Sequence, residues 1–195
     1  MGFYSFAYYI SLFYLCLYIP FSFMVYSPAY YDFNFNTLSN IDYDILVVNQ
    51  ASNELPEFFM YKTNLDQDLW TKEEIIHYKE VREIFNVLFI IFLISISIIL
   101  SNLILKRQIN YVKNRYILIP FFILSLLVGI FFSLFWEYIH YILFDNMLWL
   151  MSSNQISFYL FPLEFFFYSF LFLFLTTNIL FVLLNRILCG KKLNN

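Results

Sequence analysis

IFNVLFIIFLISISIILSNLIL, residues 84–105, carries no charged side chain beyond Glu83 at its head until Lys106, and its reading decides the fold. As a helix rising ~1.5 Å per residue it crosses the ~30 Å of hydrocarbon in a bilayer. Glu80, Arg82 and Glu83 stand just before it and Lys106 and Arg107 just after, so the run is sharply bounded. Outward from it lie three more long apolar runs, at about 6–26, 116–139 and 158–185. The chain as a whole is 62% hydrophobic, against about half for a soluble domain. The expected fold class is a membrane protein, mainly α, with four transmembrane helices. A small extracellular segment of short strands and helix is expected between the first and second.

Basic residues set the orientation. The loop after residue 105 holds Lys106, Arg107, Lys113 and Arg115 with no acid, and the C-terminal tail adds Arg186, Lys191 and Lys192. Both are read as cytoplasmic. Residues 27–83 carry eleven acids against Lys62, Lys72, Lys79 and Arg82, and are read as outside. Lys79 and Arg82, close to the second span, pull weakly the other way. The organisation is then a first transmembrane helix at 1–26, an extracellular segment at 27–83, and three further spans in 84–195 with an outer loop near 140–157 and a cytoplasmic tail. No Lys or Arg precedes the first run, so it lacks the charged region of a cleavable signal, and Ser27-Pro28-Ala29 only faintly imitates a cleavage site.

A net charge of −3 lacks the basic stripe that nucleic-acid binding wants. Aromatic residues make up 24% of the chain, and they accompany an abundance of Ile, Asn and Lys. All of these have AT-rich codons, so genome bias filling lipid-facing positions explains them more simply than an aromatic cage. Cys16 falls in a span and Cys189 in the basic tail, too far apart in environment for a disulfide.

Within the outer segment, Asp32 to Asn53 mixes Tyr, Asn, Asp and β-branched residues, which reads as short strands or irregular chain. Pro56 is placed to open a short helix through Tyr61. Thr71-Lys72-Glu73-Glu74 reads as a capping box, and the helix it starts runs on into the second span.

His77 and His140 are the only histidines, and the topology puts both at the outer mouth of the bundle. The bland account is two interfacial rings. Their neighbours add to it. At helical spacing His77 shares a face with Glu73, Glu74 and Glu80, and His140 with Trp136 and Glu137. A carboxylate beside an imidazole fixes its tautomer and raises its basicity, as a general base requires. A solvated helix face explains the same acids without chemistry. Glu164 stands inside an apolar run, which marks it as a functional candidate unless it reaches the interface. Phe144 and Trp149 follow His140, and Trp149 suits an interfacial anchor as well as a binding wall. No G-x-S-x-G elbow, H-E-x-x-H helix or phosphate-binding glycine loop occurs, and no metal spacing is present. No cofactor or metal is expected.

The motifs come in a recognisable order. Glu74-Ile75-Ile76-His77-Tyr78-Lys79-Glu80-Val81-Arg82 leads into a span. Phe135-Trp136-Glu137-Tyr138-Ile139-His140-Tyr141-Ile142-Leu143-Phe144-Asp145-Asn146 ends the next, with Trp149 after it, and Phe161-Pro162-Leu163-Glu164-Phe165-Phe166 opens the fourth. This resembles the lipoprotein intramolecular transacylase family of Gram-positive bacteria. Glu74, His77 and His140 match the family's motifs, and Glu80 stands where an Asp is usual. The resemblance implies a substrate lipoprotein whose N-terminal cysteine bears a diacylglyceryl thioether and a free α-amine. It implies movement of the sn-2 acyl chain from the glycerol oxygen to that amine. His77 and His140 would be catalytic, with either one as the base. Glu74, Glu80, Glu137 and Glu164 would be supporting acids, and Phe144 and Trp149 would line the acyl groove. The partners implied are diacylglyceryl-modified lipoproteins and membrane lipid, with the active site on the outer face of a bacterial membrane and both termini cytoplasmic. The rivals are a non-catalytic membrane subunit or assembly factor and a metal-dependent membrane hydrolase.

Overall fold

The structure, a computed structural model, describes residues 3–38, 45–105 and 112–189. Lys106, Arg107, Lys191 and Lys192, on which the orientation partly leans, lie outside the described residues. The helices among those described are α1 (Phe3–Tyr26), α2 (Pro28–Leu38), α3 (Ile45–Phe59), α4 (Lys72–Ile104), α5 (Arg115–Ile130), α6 (Phe132–Leu143), α7 (Ile156–Leu160) and α8 (Leu163–Cys189). Among these residues α1, α4 and α8 are long and apolar enough to cross a membrane, and α5 with α6 makes a fourth if that bent pair counts as one span. The run at 116–139 is therefore not one straight helix. It breaks at Phe131, whose φ of −108° and ψ of 33° lie outside the helical region, two residues after the weak helix former Gly129.

The chain divides into two compact units. One comprises residues 1–21, 87–130 and 171–195. Its interior is built from Tyr8, Tyr9, Leu12 and Cys16 of α1, Ile99 of α4 and Phe181 of α8. Tyr9 Oη accepts the Val112 amide at 3.0 Å, and Asn185 Nδ2 donates to the Val112 carbonyl at 3.3 Å. Cys16 is buried and unoxidised. Outside, Val87, Ile90, Leu93 and Ile94 of α4 are about half exposed. An apolar helix surface of this kind belongs in lipid.

The other unit comprises residues 22–86 and 131–170. Composition predicts strands near 32–53, but among the described residues this segment is helical, and positions 39–44 lie outside them. Burial at helical spacing overrides the weak propensities of Asn, Asp and Val. In α3 the buried stripe is Val48, Ala51, Ser52, Leu55, Phe58 and Phe59. In α2 it is Tyr30, Tyr31, Asn34 and Phe35, and α2 packs on α3. Ser27 precedes Pro28 at the first turn of α2, the usual place for a proline, and the Ser27 carbonyl accepts the Tyr30 amide.

Pro56 does not start a helix either. It lies buried inside α3, a position that costs ~3 kcal/mol and that burial of Leu55, Phe58 and Phe59, at ~1.5–3 kcal/mol each, offsets. α3 ends in a Schellman turn: the Lys62 amide bonds the Glu57 carbonyl at 2.9 Å and the Tyr61 amide bonds the Phe58 carbonyl at 3.0 Å. The left-handed residue there is Tyr61, at φ 60°, where glycine is the usual choice. Its ring explains the exception. The Arg82 guanidinium lies 4.0 Å from the Tyr61 centroid and 4.2 Å from that of Phe58, and Tyr61 Oη donates to Glu83 at 2.9 Å. Tyr61→Gly should therefore fail to stabilise, since the ~1 kcal/mol of relieved backbone cost is matched by a lost cation–π contact. A rise in Tm of several degrees in detergent would refute this account.

Candidate functional site

α4 begins at the capping box. Thr71 Oγ1 accepts the Glu74 amide at 3.3 Å, and Glu74 Oε2 accepts the Thr71 amide at 2.8 Å and its hydroxyl at 2.9 Å. The carboxylate does a second job. Its Oε1 accepts the Ser157 amide at 2.8 Å and the Ser157 hydroxyl at 2.5 Å. Since the Ser157 proton goes to the carboxylate, Tyr78 Oη, 2.5 Å from Ser157 Oγ, is the donor of that pair. Glu74 is fully buried with both oxygens engaged, and it ties the start of α4 to α7. Trp70 stands edge-on to Tyr78 beneath this network at 5.3 Å.

One turn later α4 presents His77, still within the charged stretch that precedes the apolar run. His140 is in the last turn of α6, which packs against the start of α8 through Trp136 stacked on Phe166 at 4.0 Å and Phe132 against Phe167 at 5.3 Å. Both imidazoles are buried, at 6% and 9% exposure, and both touch Phe144. The Phe144 centroid is 4.7 Å from that of His77 and 5.6 Å from that of His140. Trp149 closes on His140 at 4.9 Å, and Trp136 stands edge-on to it at 4.4 Å.

His140 Nδ1 lies 2.6 Å from the Trp136 carbonyl oxygen, which can only accept. The Nδ1 position therefore carries the proton, and Nε2 is left with its lone pair. Burial pushes the His77 pKa down to about 4, and the nearby His140 adds to the shift. The Glu80 carboxylate, 3.9 Å away and about one-third exposed, pulls the other way but does not outweigh burial. The ring is then neutral in the folded protein at pH 7. Unfolded chain would take up the proton below ~6.5 and folded chain only near 4, so stability is full above ~6.5 and falls as the pH drops through that window. NMR of labelled histidine in detergent should show the His77 ring unprotonated from about pH 8 down to about 5. A midpoint near 6.5 would contradict its burial.

Of the acids that the sequence singles out, only Glu80 approaches an imidazole among the described contacts. Its Oε1 is held by Asn146 Nδ2 at 2.7 Å, while Asn146 Oδ1 accepts the Leu148 amide at 2.9 Å. Glu137 is exposed and accepts the Tyr141 hydroxyl at 3.3 Å. Glu164 is exposed in the first turn of α8, where a carboxylate complements the helix dipole. Tyr78 and Asn146, which lie in the quoted motifs but carry no assigned role there, join the site together with Ser157, which no sequence signal marks. Among the described residues no three His, Cys, Asp or Glu side chains converge as a metal centre would need.

The arrangement is two buried imidazoles among aromatic rings, one with its tautomer fixed. It suits proton transfer at an ester or amine under apolar cover. No curated protein matches the chain. The solved structure of the membrane-integral lipoprotein intramolecular transacylase Lit from Bacillus cereus is similar over 98% of this chain and 97% of its own, with a TM-score of 0.81 at 20% identity. That likeness speaks for the fold. The profile of the family described as lipoprotein intramolecular transacylase Lit matches residues 4–166, and on that match the chain belongs to the lipoprotein intramolecular transacylase family.

Proposed function

We propose that the protein moves the sn-2 acyl chain of a diacylglyceryl-cysteine lipoprotein onto that cysteine's own α-amine, giving the N-acyl, S-monoacylglyceryl form. The observation that carries the reading is the meeting of His77 and His140 at Phe144, both buried. Amine and ester already sit on one molecule, so positioning supplies much of the rate. The amine nitrogen attacks the ester carbonyl and forms the C–N bond. His140 Nε2, whose lone pair the Trp136 carbonyl leaves free, takes the proton that the nitrogen sheds. The sn-2 C–O bond breaks, and the same imidazole returns the proton to the departing oxygen. His77 orients the reactants. Phe144 and Trp149 wall the acyl chain beside the bases, and Glu80 supports His77. Glu137 and Glu164 have exposed carboxylates and are assigned no step. The site faces the outer side of the membrane, with residues 27–83 and the loop near 140–157 outside and both termini cytoplasmic. Membrane lipid surrounds the spans.

The reaction is an isomerisation, so the intact mass of the lipoprotein does not change. The test is expression in a bacterium whose lipoproteins keep free α-amines, followed by fragmentation mass spectrometry of a lipoprotein's N-terminal peptide. An N-acylated cysteine that loses a monoacylglyceryl thiol is the expected result. Diacylglyceryl cysteine with a free amine, despite insertion of the protein, overturns the proposal.

A further inference from the structure

Two polar atoms in the site face each other without a hydrogen bond between them. Glu80 Oε2 and His77 Nδ1 are both buried and without a hydrogen-bond partner among the described residues, and they stand 3.9 Å apart. That is too long for a direct hydrogen bond. It is right for one nitrogen lying ~2.8–3.0 Å from each. The carboxylate is held for this. Asn146 pins its other oxygen at 2.7 Å, and the Leu148 amide fixes which end of the Asn146 side chain faces Glu80. Phe144, packed on His77 at 4.7 Å, keeps the neighbourhood apolar, where an ion and its counter-ion attract strongly.

We propose that Glu80 Oε2 and His77 Nδ1 form a subsite for a primary ammonium group, with Asn146 as the positioning residue that sets the carboxylate. The inference rests on the proposed reaction for the identity of the ligand: the α-amine of the lipidated cysteine. One N–H goes to the carboxylate and a second to the imidazole, which is unprotonated at Nδ1 when the subsite is filled. The bound ammonium loses one proton to solvent before the neutral amine attacks, and the proton shed on attack goes to His140. Neither atom reaches the surface. The amine therefore enters only as surrounding side chains move aside. The subsite also separates substrate from product. Once acylated, the nitrogen is an uncharged amide with a single N–H, and it can no longer satisfy both acceptors.

The test uses the full-length protein in detergent at about pH 7, where a peptide α-amine is largely protonated. The probe is a cysteinyl-serine peptide bearing a dialkylglyceryl thioether, with ether links in place of the esters so that no acyl group can move. Its affinity is compared with that of the same probe acetylated on the α-amine. The free amine should bind at least about tenfold tighter, as loss of one charge-assisted hydrogen bond implies, and E80Q should erase the difference. Equal affinity of the two probes for the wild-type protein overturns the subsite, and this comparison decides even if E80Q does not fold. A difference that survives E80Q overturns the role of the carboxylate. Preference for the free amine in a protein that transfers no acyl chain leaves the subsite standing and sinks the proposed reaction. Acyl transfer with no preference does the reverse.

Discussion

His140→Ala should lower N-acylation of a diacylglyceryl substrate by about 10³-fold, the middle of the range for loss of a general acid–base group. The protein should still insert and elute as a single species. The ring's hydrogen bond is to a helix carbonyl of its own turn, so its removal breaks no hydrogen bond between elements. His140→Asn should be as inactive as the alanine variant, because an amide cannot take up a proton near neutral pH. The measurement is a single-turnover time course read by fragmentation mass spectrometry. A rate within a few-fold of wild type would remove His140 from the chemistry and leave the proposed mechanism without its base.

Glu74→Ala should act on stability in the first instance. The carboxylate is fully buried and accepts from two amides and two hydroxyls. Its removal orphans donors at Thr71 and Ser157, at ~1–3 kcal/mol each for those that find no other partner. The expected loss is at least ~3 kcal/mol, or ~6–12 °C in Tm for a chain of this size. Glu74→Gln should lie between, since its amide nitrogen faces donors where the carboxylate oxygen accepted. Thermal unfolding in detergent checks both. An unchanged Tm with abolished transfer would mean that Glu74 works on the substrate and that its bonds to Ser157 contribute little.

How far the sequence carries the argument varies with the length scale of the signal. The apolar run at 84–105 needs no partner to be read, because lipid alone demands it. The capping box Thr71–Glu74 is likewise local, and the structure contains it. The helices α2 and α3 are hidden by composition. Their Tyr and Val residues suggest strands and their Asn residues irregular chain, yet Val48, Ala51, Leu55 and Phe58 follow a helical period that can be counted. The break at Phe131 is marked in the sequence only by Gly129, and one weak helix former in a long apolar run does not fix a break. In the site, the two histidines and Phe144 stand out by type and order. Sequence spacing allows Glu74 and Glu80 equally to serve His77. Only long-range contacts separate them: Ser157 takes up Glu74, and Asn146 leaves one oxygen of Glu80 toward the ring.

The aromatic surroundings of His140 bear on chemical fidelity. An ester beside a general base is open to hydrolysis, and water at ~55 M outcompetes a tethered nucleophile that is not held in place. Trp136, Phe144 and Trp149 each lie against this imidazole and surround it with mostly apolar ring surface. The proposed reaction should therefore release few free fatty acids. Trimming the Trp149 indole to a small side chain would admit solvent to the base and turn part of the turnover into esterase leakage.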